Sequence, residues 1–554
     1  MSSFVSTILE NLARAPHKAS LTEIVPTGGP GSALEQRPVT NGELAELVAR
    51  ARSWLTHIGI RSGDRVALLG PNSAKWVALD LAIIAEGAIV VPLYSRQAAS
   101  ELAVMADDCT PAAVAVADAA LLSALQAAWY GDAARACKHA LYDAVFSHEK
   151  SASAPVHLLP DATVTIIYTS GSTGVPKGVE LSYANVDFML PTTETALGRI
   201  VKGPERDFVF HFLPFCFAGS RIMLWTQLRR GNGLLISTDL TRLVDEIKAA
   251  NPSYYLNVPA VLERIRAGVG KVLAERGGIG RTLYEKGLAA DASIRAGKGG
   301  ALDKIALAAA QKFVFPKIKE TIGSRLDFLV CGSAPLSPET QHWFELIGIP
   351  VFQVYGLTET TAIVTMDIPG GIDAGKVGHA IAGVEMKLGD GDELLTRGPH
   401  IFKGYWGKPD ATAEVIKGGW FYSGDQAEID PKGNLRVVGR VKNLMKPESG
   451  HWIAPEPIEE KLRDELPTIE HAVVIGHGRA YLTVLVTGPV TEPEVRAAID
   501  AVNASLPHYK KLKKFKLFKE TLTPEAGLLT ANAKLKRRAI ELHFRADIEA
   551  LYAG

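Results

Sequence analysis

The sequence predicts an α/β fold: a large multi-lobed N-terminal domain of layered sheets and helices, followed by a small C-terminal α+β domain. Helical and strand signals alternate through roughly the first 400 residues, as they do where helices pack on mostly parallel sheets. After Gly439 the texture changes. A short basic segment, 440–446, leads into a stretch with helix and strand signals of its own, including the apolar run 481–486. Length agrees, because 554 residues exceed one hydrophobic core and suggest roughly three or four compact lobes. We therefore expect domains over 1–439 and 440–554.

Thr40 and Glu43 make a T-x-x-E capping box ahead of Leu44, Leu47, Val48, Ala51, Trp54 and Leu55, which predicts a helix over 40–58. Apolar runs at 65–69, 88–93, 113–117 and 163–168 predict strands buried on both faces. The most apolar stretch, 77–94, carries Asp80 and Glu86 and is broken by Gly87 and Pro92. It predicts a buried helix and a buried strand rather than a membrane span. An Ala-, Lys- and Gly-rich segment with helical periodicity predicts a helical insertion over about 268–319.

Composition narrows the function classes. Apolar residues make up 47% and charged residues 22%, and Lys+Arg and Asp+Glu both number 60, so no long-range field favours nucleic acid. Cys109, Cys137, Cys216 and Cys331 lack CxxC spacing or a His cluster, which argues against a disulfide framework, a structural zinc or a redox motif. A cytoplasmic location fits. The N-terminal residues lack the basic start and apolar stretch of a signal peptide, so export is not expected.

The strongest local signal is Tyr168-Thr169-Ser170-Gly171-Ser172-Thr173-Gly174-Val175-Pro176-Lys177-Gly178, a strand running into glycines, hydroxyls and one lysine. Glycines let backbone N–H groups approach a phosphate, hydroxyls add neutral donors, and Lys177 adds charge. Glycine equally supports a plain surface turn, and the residues alone leave both open. A Walker-type loop is excluded, since Lys177 follows Pro176 and precedes Gly178 rather than standing between Gly and Ser or Thr.

This run resembles the phosphate loop of adenylate-forming enzymes, the acyl-CoA synthetase and luciferase superfamily. Further motifs agree in order: Gly332-Ser333-Ala334-Pro335, Tyr355-Gly356-Leu357-Thr358-Glu359-Thr360, Gly404-Tyr405-Trp406, Gly419 to Asp425, Gly439-Arg440-Val441-Lys442, and Leu529 to Lys534. The likeness spans about 10–545 and is nearest to long-chain fatty acyl-CoA synthetases, through the 268–319 insertion and the ending Leu-Thr-Ala-Asn-Ala-Lys-Leu-Lys-Arg. It implies ATP-dependent activation of a carboxylic acid to acyl-AMP, then transfer to CoA. By resemblance Gly332–Pro335, Tyr355, Gly356 and Thr358 lie at the adenine, Asp425 holds the ribose, and Arg440 bonds ribose or phosphate. Glu359 and Thr169 help hold Mg2+, and Lys177 and Lys534 supply positive charge. Lys442 is the hinge about which a mobile C-terminal domain rotates.

Three positions depart from the family pattern. Phe217 and Tyr183 stand where histidine is usual, and Asn443 where an acid is usual. None removes an obligatory charge. Phe215, Phe217, Ala218 and Gly219 are candidates for an apolar acyl pocket, with core packing as the alternative. The lysine-rich run 509–516 reads as a solvated strand edge, with CoA phosphates or an anionic membrane surface as the other readings. A carrier-protein or intramolecular acceptor, or a non-catalytic nucleotide sensor, stays open beside the CoA ligase.

Overall fold

The computed structural model describes residues 3–28, 31–150, 153–170, 176–523, 526–530 and 534–553, the side chain of Ser170 excepted. Packing divides the chain into two units. One holds Met1–Ala374, Gly378–Val384 and Arg397–Glu414; the other holds Gly375–Val377, Glu385–Thr396 and Val415–Gly554.

The first unit contains two sheets. In the smaller the strand order is Gly404–Tyr405, Pro176–Ser182, Thr163–Ser170, Ile89–Leu93, Arg65–Leu69, Ala113–Val116, Lys138–Leu141, parallel except where Thr163–Ser170, Pro176–Ser182 and Gly404–Tyr405 pair. The larger has a parallel centre in the order Val351–Tyr355, Leu329–Cys331, Tyr254–Asn257, Phe208–His211, Gly233–Ser237, Ala19–Pro26, with antiparallel strands at both margins. Strand side chains alternate between faces, so one run feeds two cores. Val66 and Leu68 join Val209, Leu234 and Val330 in a core between the sheets, whereas Ala67 and Leu69 pack outward with Leu102 and Met105. Phe210, Leu235, Leu329 and Val351 pack on the opposite outer face. The result is five layers, helix, sheet, helix, sheet, helix, which explains why the strands read as continuous apolar runs.

Sequence expectations for these elements hold with small shifts at their ends. The helix Asn41–His57 starts at the capping box of Thr40 and Glu43. The apolar stretch becomes the helix Ala74–Ala85 and the strand Ile89–Leu93. Helical structure is wider than 268–319, running through Pro259–Arg276, Gly278–Arg295, Ala301–Phe313 and Phe315–Gly323, with Leu262, Tyr284, Ala310 and Phe315 in the outer core. Among the described residues no helix is long and apolar enough to cross a membrane.

Every residue of Ala74–Ala85 except Lys75 is buried, as expected of a helix in a middle layer. Asp80 therefore sits at 0% exposure, and its charge is answered by Arg221 of the helix Ala218–Arg230, itself 1% exposed, at 2.5 Å. The Trp225 indole N–H donates to the other Asp80 oxygen at 2.7 Å, and the guanidinium lies 4.4 Å from the Trp225 ring centroid. Arg221 also donates to the Thr165 hydroxyl, which donates to the Val90 carbonyl at 2.8 Å, so the pair ties two middle helices to the smaller sheet.

The second unit holds two smaller sheets. Trp420–Ile429 pairs with Leu435–Arg440, and Glu385–Leu388, Glu393–Arg397 and Ile416–Lys417 complete that sheet. Further along, His471–Ile475, Leu482–Thr487 and Leu512–Phe518 form a sheet packed on one face by Glu456–Glu465 and Glu492–Ala504 and on the other by Arg537–His543 and Arg545–Tyr552. Leu512–Phe518, which carries most of the lysine-rich run, is an edge strand, and Lys513 and Lys516 are exposed on it.

Removing one member of the buried pair leaves the other charged and dry. Arg221→Leu should destabilise the protein by about 3–5 kcal/mol, read from the shift of the denaturation midpoint. Asp367 gives a pH test. One of its oxygens accepts from the Gln353 backbone at 2.8 Å and the Gln341 amide at 3.3 Å, its Oδ1 has no partner among the described residues, and burial pushes its pKa up to about 7. Unfolded, it ionises near pH 4, so the stability it contributes at low pH is lost as pH rises from about 4 through about 7. The melting temperature of Asp367→Asn relative to the parent should climb by several degrees between pH 5 and pH 8; a constant difference would contradict this.

Candidate active site

Parallel strands present their C-terminal ends at one edge of a sheet, where a crevice can open. Three candidate motifs begin at this edge of the larger sheet. Phe208–His211 leads into Phe212 to Phe217, Leu329–Cys331 into Gly332 to Pro335, and Val351–Tyr355 into the turn Thr358–Thr360 that bears Glu359. Close approach dictates two glycines here. A Cβ on Gly332 would stand 2.7 Å from Val354, and one on Gly356 would stand 2.0 Å from the Ala362 carbonyl. Ser333 takes a left-handed φ of 77°, backbone strain of the kind found at functional turns, and Ser333, Ala334 and Pro335 are exposed. Tyr355 is half-buried at its strand end.

The smaller sheet supplies the lysine. Thr163–Ser170 and Pro176–Ser182 form an antiparallel pair in which Thr169 faces Lys177 and Ser170 faces Pro176, so the ladder fixes Thr169 and Lys177 opposite each other. Gly171, Ser172, Thr173 and Gly174 lie outside the described residues. The turn Thr358–Thr360 packs beside Pro176–Ser182. Between them stands Tyr405, whose hydroxyl donates to Glu359 Oε1 at 2.9 Å and whose ring centroid is 4.9 Å from Lys177 Nζ. The Phe402 N–H donates to the Glu359 carbonyl at 2.8 Å, holding the turn from its other side. The Gly404-Tyr405-Trp406 motif marked this place in the sequence without revealing that Tyr405 touches both charged residues.

Beside the edge lies an apolar cavity. Leu197, Gly219 and Met223 line it from the helices Tyr183–Ile200 and Ala218–Arg230, Leu256, Val330 and Val354 from the sheet, and Ala362 and Ile363 from the chain just after Glu359. Of the four pocket candidates, Gly219 lines it, and a Cβ there would meet nothing within 4 Å. Phe215 packs against Trp76 and His211, with ring centroids 5.3 and 5.1 Å apart, Phe217 lies 5.9 Å from Tyr94, and Ala218 is buried. The inward-facing strand residues were invisible in the sequence because their runs are apolar on both faces.

The remaining candidates belong to the second unit. Asp425 is 4% exposed, and its Oδ1 pairs with Arg440 Nε at 2.9 Å across the register of their two strands. Arg440 also donates to the Ser423 carbonyl at 3.1 Å. Its strand ends at the turn Val441–Asn443, where Lys442 is exposed. The Asn443 amide donates to Glu456 at 2.7 Å, Glu456 lies 3.8 Å from Arg537, and Arg537 forks onto Glu459. An acidic residue at 443 would face Glu456 with like charge, which accounts for the departure noted there. Lys534 is exposed, with its carbonyl accepting from Thr530 N–H at 2.8 Å.

All four cysteines are buried. Burial pushes the thiols of Cys109, Cys137 and Cys216 up to about 12, and raises that of Cys331 as well.

Comparison with known proteins identifies the family. A long-chain-fatty-acid–CoA ligase of Mycobacterium tuberculosis is 28% identical over 563 aligned residues, covering 93% of this chain and 92% of the relative. A long-chain acyl-CoA synthetase of Arabidopsis thaliana is 27% identical, covering 92% and 82%. Among solved structures, an anthranilate CoA ligase in complex with anthranoyl-AMP shares the fold with a TM-score of 0.77 at 18% identity, covering 99% of this chain and 98% of that one. A fatty acyl-CoA synthetase of Mycobacterium tuberculosis does so with a TM-score of 0.65 at 21% identity, covering 99% of each. The profile of AMP-binding enzymes matches residues 10–406 and that of the AMP-binding enzyme C-terminal domain matches 444–554, so the chain belongs to the AMP-binding enzyme family.

Proposed function

We propose that this protein is an AMP-forming acid–thiol ligase that joins a medium- or long-chain fatty acid to CoA. The observation that carries the reading is the strand-edge cluster of Lys177, Tyr405 and Glu359, a place for phosphates, with an apolar cavity of about 60 Å³ beside it that has room for only the first carbons of an alkyl chain. The similarity to fatty-acid CoA ligases along most of the chain supports the substrate class.

In the first half-reaction a carboxylate oxygen bonds to the α-phosphorus of ATP and pyrophosphate leaves. Both reactants are negative, so catalysis is mainly positioning and charge neutralisation. Lys177 and Lys534 supply fixed positive charge, Gly171 to Gly174 wrap the phosphates, Gly332 to Pro335 with Tyr355 flank the adenine, and Asp425 with Arg440 takes the ribose. For Mg2+ the donor set is Glu359 and the Thr169 hydroxyl; no group of three or more His, Cys, Asp or Glu among the described residues makes a dedicated cage. One carboxylate and one hydroxyl fit a hard cation that takes its other ligands from phosphates and water, and bound there it would offset the charge of the leaving group.

In the second half-reaction the CoA sulfur bonds to the acyl carbon and AMP leaves. Lys534 then has to withdraw, and in this reading residues 440–554 turn about Lys442. The sheet ladder ends at Arg440, so the first torsions beyond it are those of Val441–Asn443, a short 3-10 turn of the kind that serves as a hinge. A cytoplasmic setting, with CoA at hand and thiols reduced, suits the chemistry.

Acid-dependent pyrophosphate exchange with ATP, followed by CoA-dependent release of AMP and thioester, tests the reading; absence of exchange with any fatty acid would overturn it. Lys534→Ala should slow exchange by about 10²- to 10³-fold while sparing thioester formation from preformed acyl-adenylate, and equal loss of both would refute its role. Gly219→Trp, which fills the cavity, should lower kcat/KM for long acids far more than for short ones, measured across a chain-length series.

A further inference from the structure

Tyr405 is the described residue that bridges the two charged groups of the first unit, and its placement is over-determined. Its strand pairs with the lysine-bearing strand through Tyr405 opposite Val179, and the next residue, Trp406, donates its N–H to the Gly178 carbonyl at 2.8 Å. The Tyr405 N–H donates to the Thr412 hydroxyl at 2.9 Å, and its ring stands edge-on to Phe402 with centroids 4.9 Å apart. At 8% exposure the side chain is packed on most sides.

An ammonium and a carboxylate within reach of each other attract and pair, and a paired lysine has less charge to give a phosphate. Tyr405 offers each a different partner. Its phenol makes a charge-assisted hydrogen bond to one carboxylate oxygen, fixing the plane of Glu359, and its ring face attracts the Lys177 ammonium through the quadrupole. We propose that Tyr405 is a positioning residue for adenylation, holding Glu359 and Lys177 separate and aimed so that both charges meet the nucleotide. This rests on the roles given above to Lys177 and Glu359.

The test is a double-mutant cycle in the full-length protein, using pyrophosphate exchange with a saturating fatty acid. Tyr405→Phe keeps the ring and removes the donor; we expect kcat to fall about tenfold, the loss of one hydrogen bond to a charged group, with KM for the acid unchanged. In the Glu359→Gln background the same substitution should change residual exchange less than about twofold, because the phenol then meets only a neutral amide oxygen and the charge-assisted bond is gone. Tyr405→Leu, which also removes the ring, should in addition raise KM for ATP. If Tyr405→Phe melts early, 3,5-difluorotyrosine at 405 retains the ring and alters the donor strength, and should likewise change kcat in the parent but not in Glu359→Gln. A Phe variant within twofold of the parent, or an undiminished tenfold loss in the Glu359→Gln background, would overturn the positioning role. A parent that catalyses no exchange would instead overturn the functional reading beneath it.

Discussion

An ion pair out of reach of water is costly to form, and the first unit is organised around one. Asp80 and Arg221 stand 141 residues apart in the sequence, yet each needs the other to be tolerable at its depth. Meeting that need fixes the rotation of Ala74–Ala85 against Ala218–Arg230, and the Thr165 hydroxyl extends the constraint to the strand that runs on to Thr169. The helix Ala218–Arg230 also presents Gly219 and Met223 to the apolar cavity. One polar contact thus sets the spacing of the middle layer against which both the pair Thr163–Ser170 and Pro176–Ser182 and the cavity wall are placed.

How much of this was legible varies with the range of the interaction. Local chemistry was readable: the capping box at Thr40 and Glu43 starts its helix, and the run 65–69 is a strand whose apolar residues after Arg65 are all buried. Asp80 and Glu86 were readable only as interruptions of an apolar stretch. Their actual roles, a buried pair with Arg221 and a 2.6 Å pair with Arg52, depend on partners that no local pattern names.

The site shows the same division. Motif order singled out Lys177, Glu359 and Asp425, because glycines and turn residues leave strong marks in sequence. The pairing of Asp425 with Arg440 follows from a strand register, and the cavity wall from which face of each strand meets the middle helices. Neither is encoded in local spacing, since register and facing are set by which strands meet. Asn443 is instructive: as a departure it looked neutral, and its reason lies in Glu456, a carboxyl whose burial raises its pKa and whose neighbour Arg537 is already shared with Glu459.

The burial of the cysteines acquires a chemical meaning beside the proposed reaction. An acyl-adenylate is a mixed anhydride, and it would acylate any thiolate that reached its carbonyl. Cys216 sits in the segment leaving one strand edge and Cys331 immediately precedes Gly332 at another, so two sulfurs lie a few bonds from the chain that frames the chemistry. Kept protonated and shut away from solvent, they are not nucleophiles. The protein can hold a potent acylating agent without becoming its target, and the choice of acceptor passes to the thiol that arrives from outside.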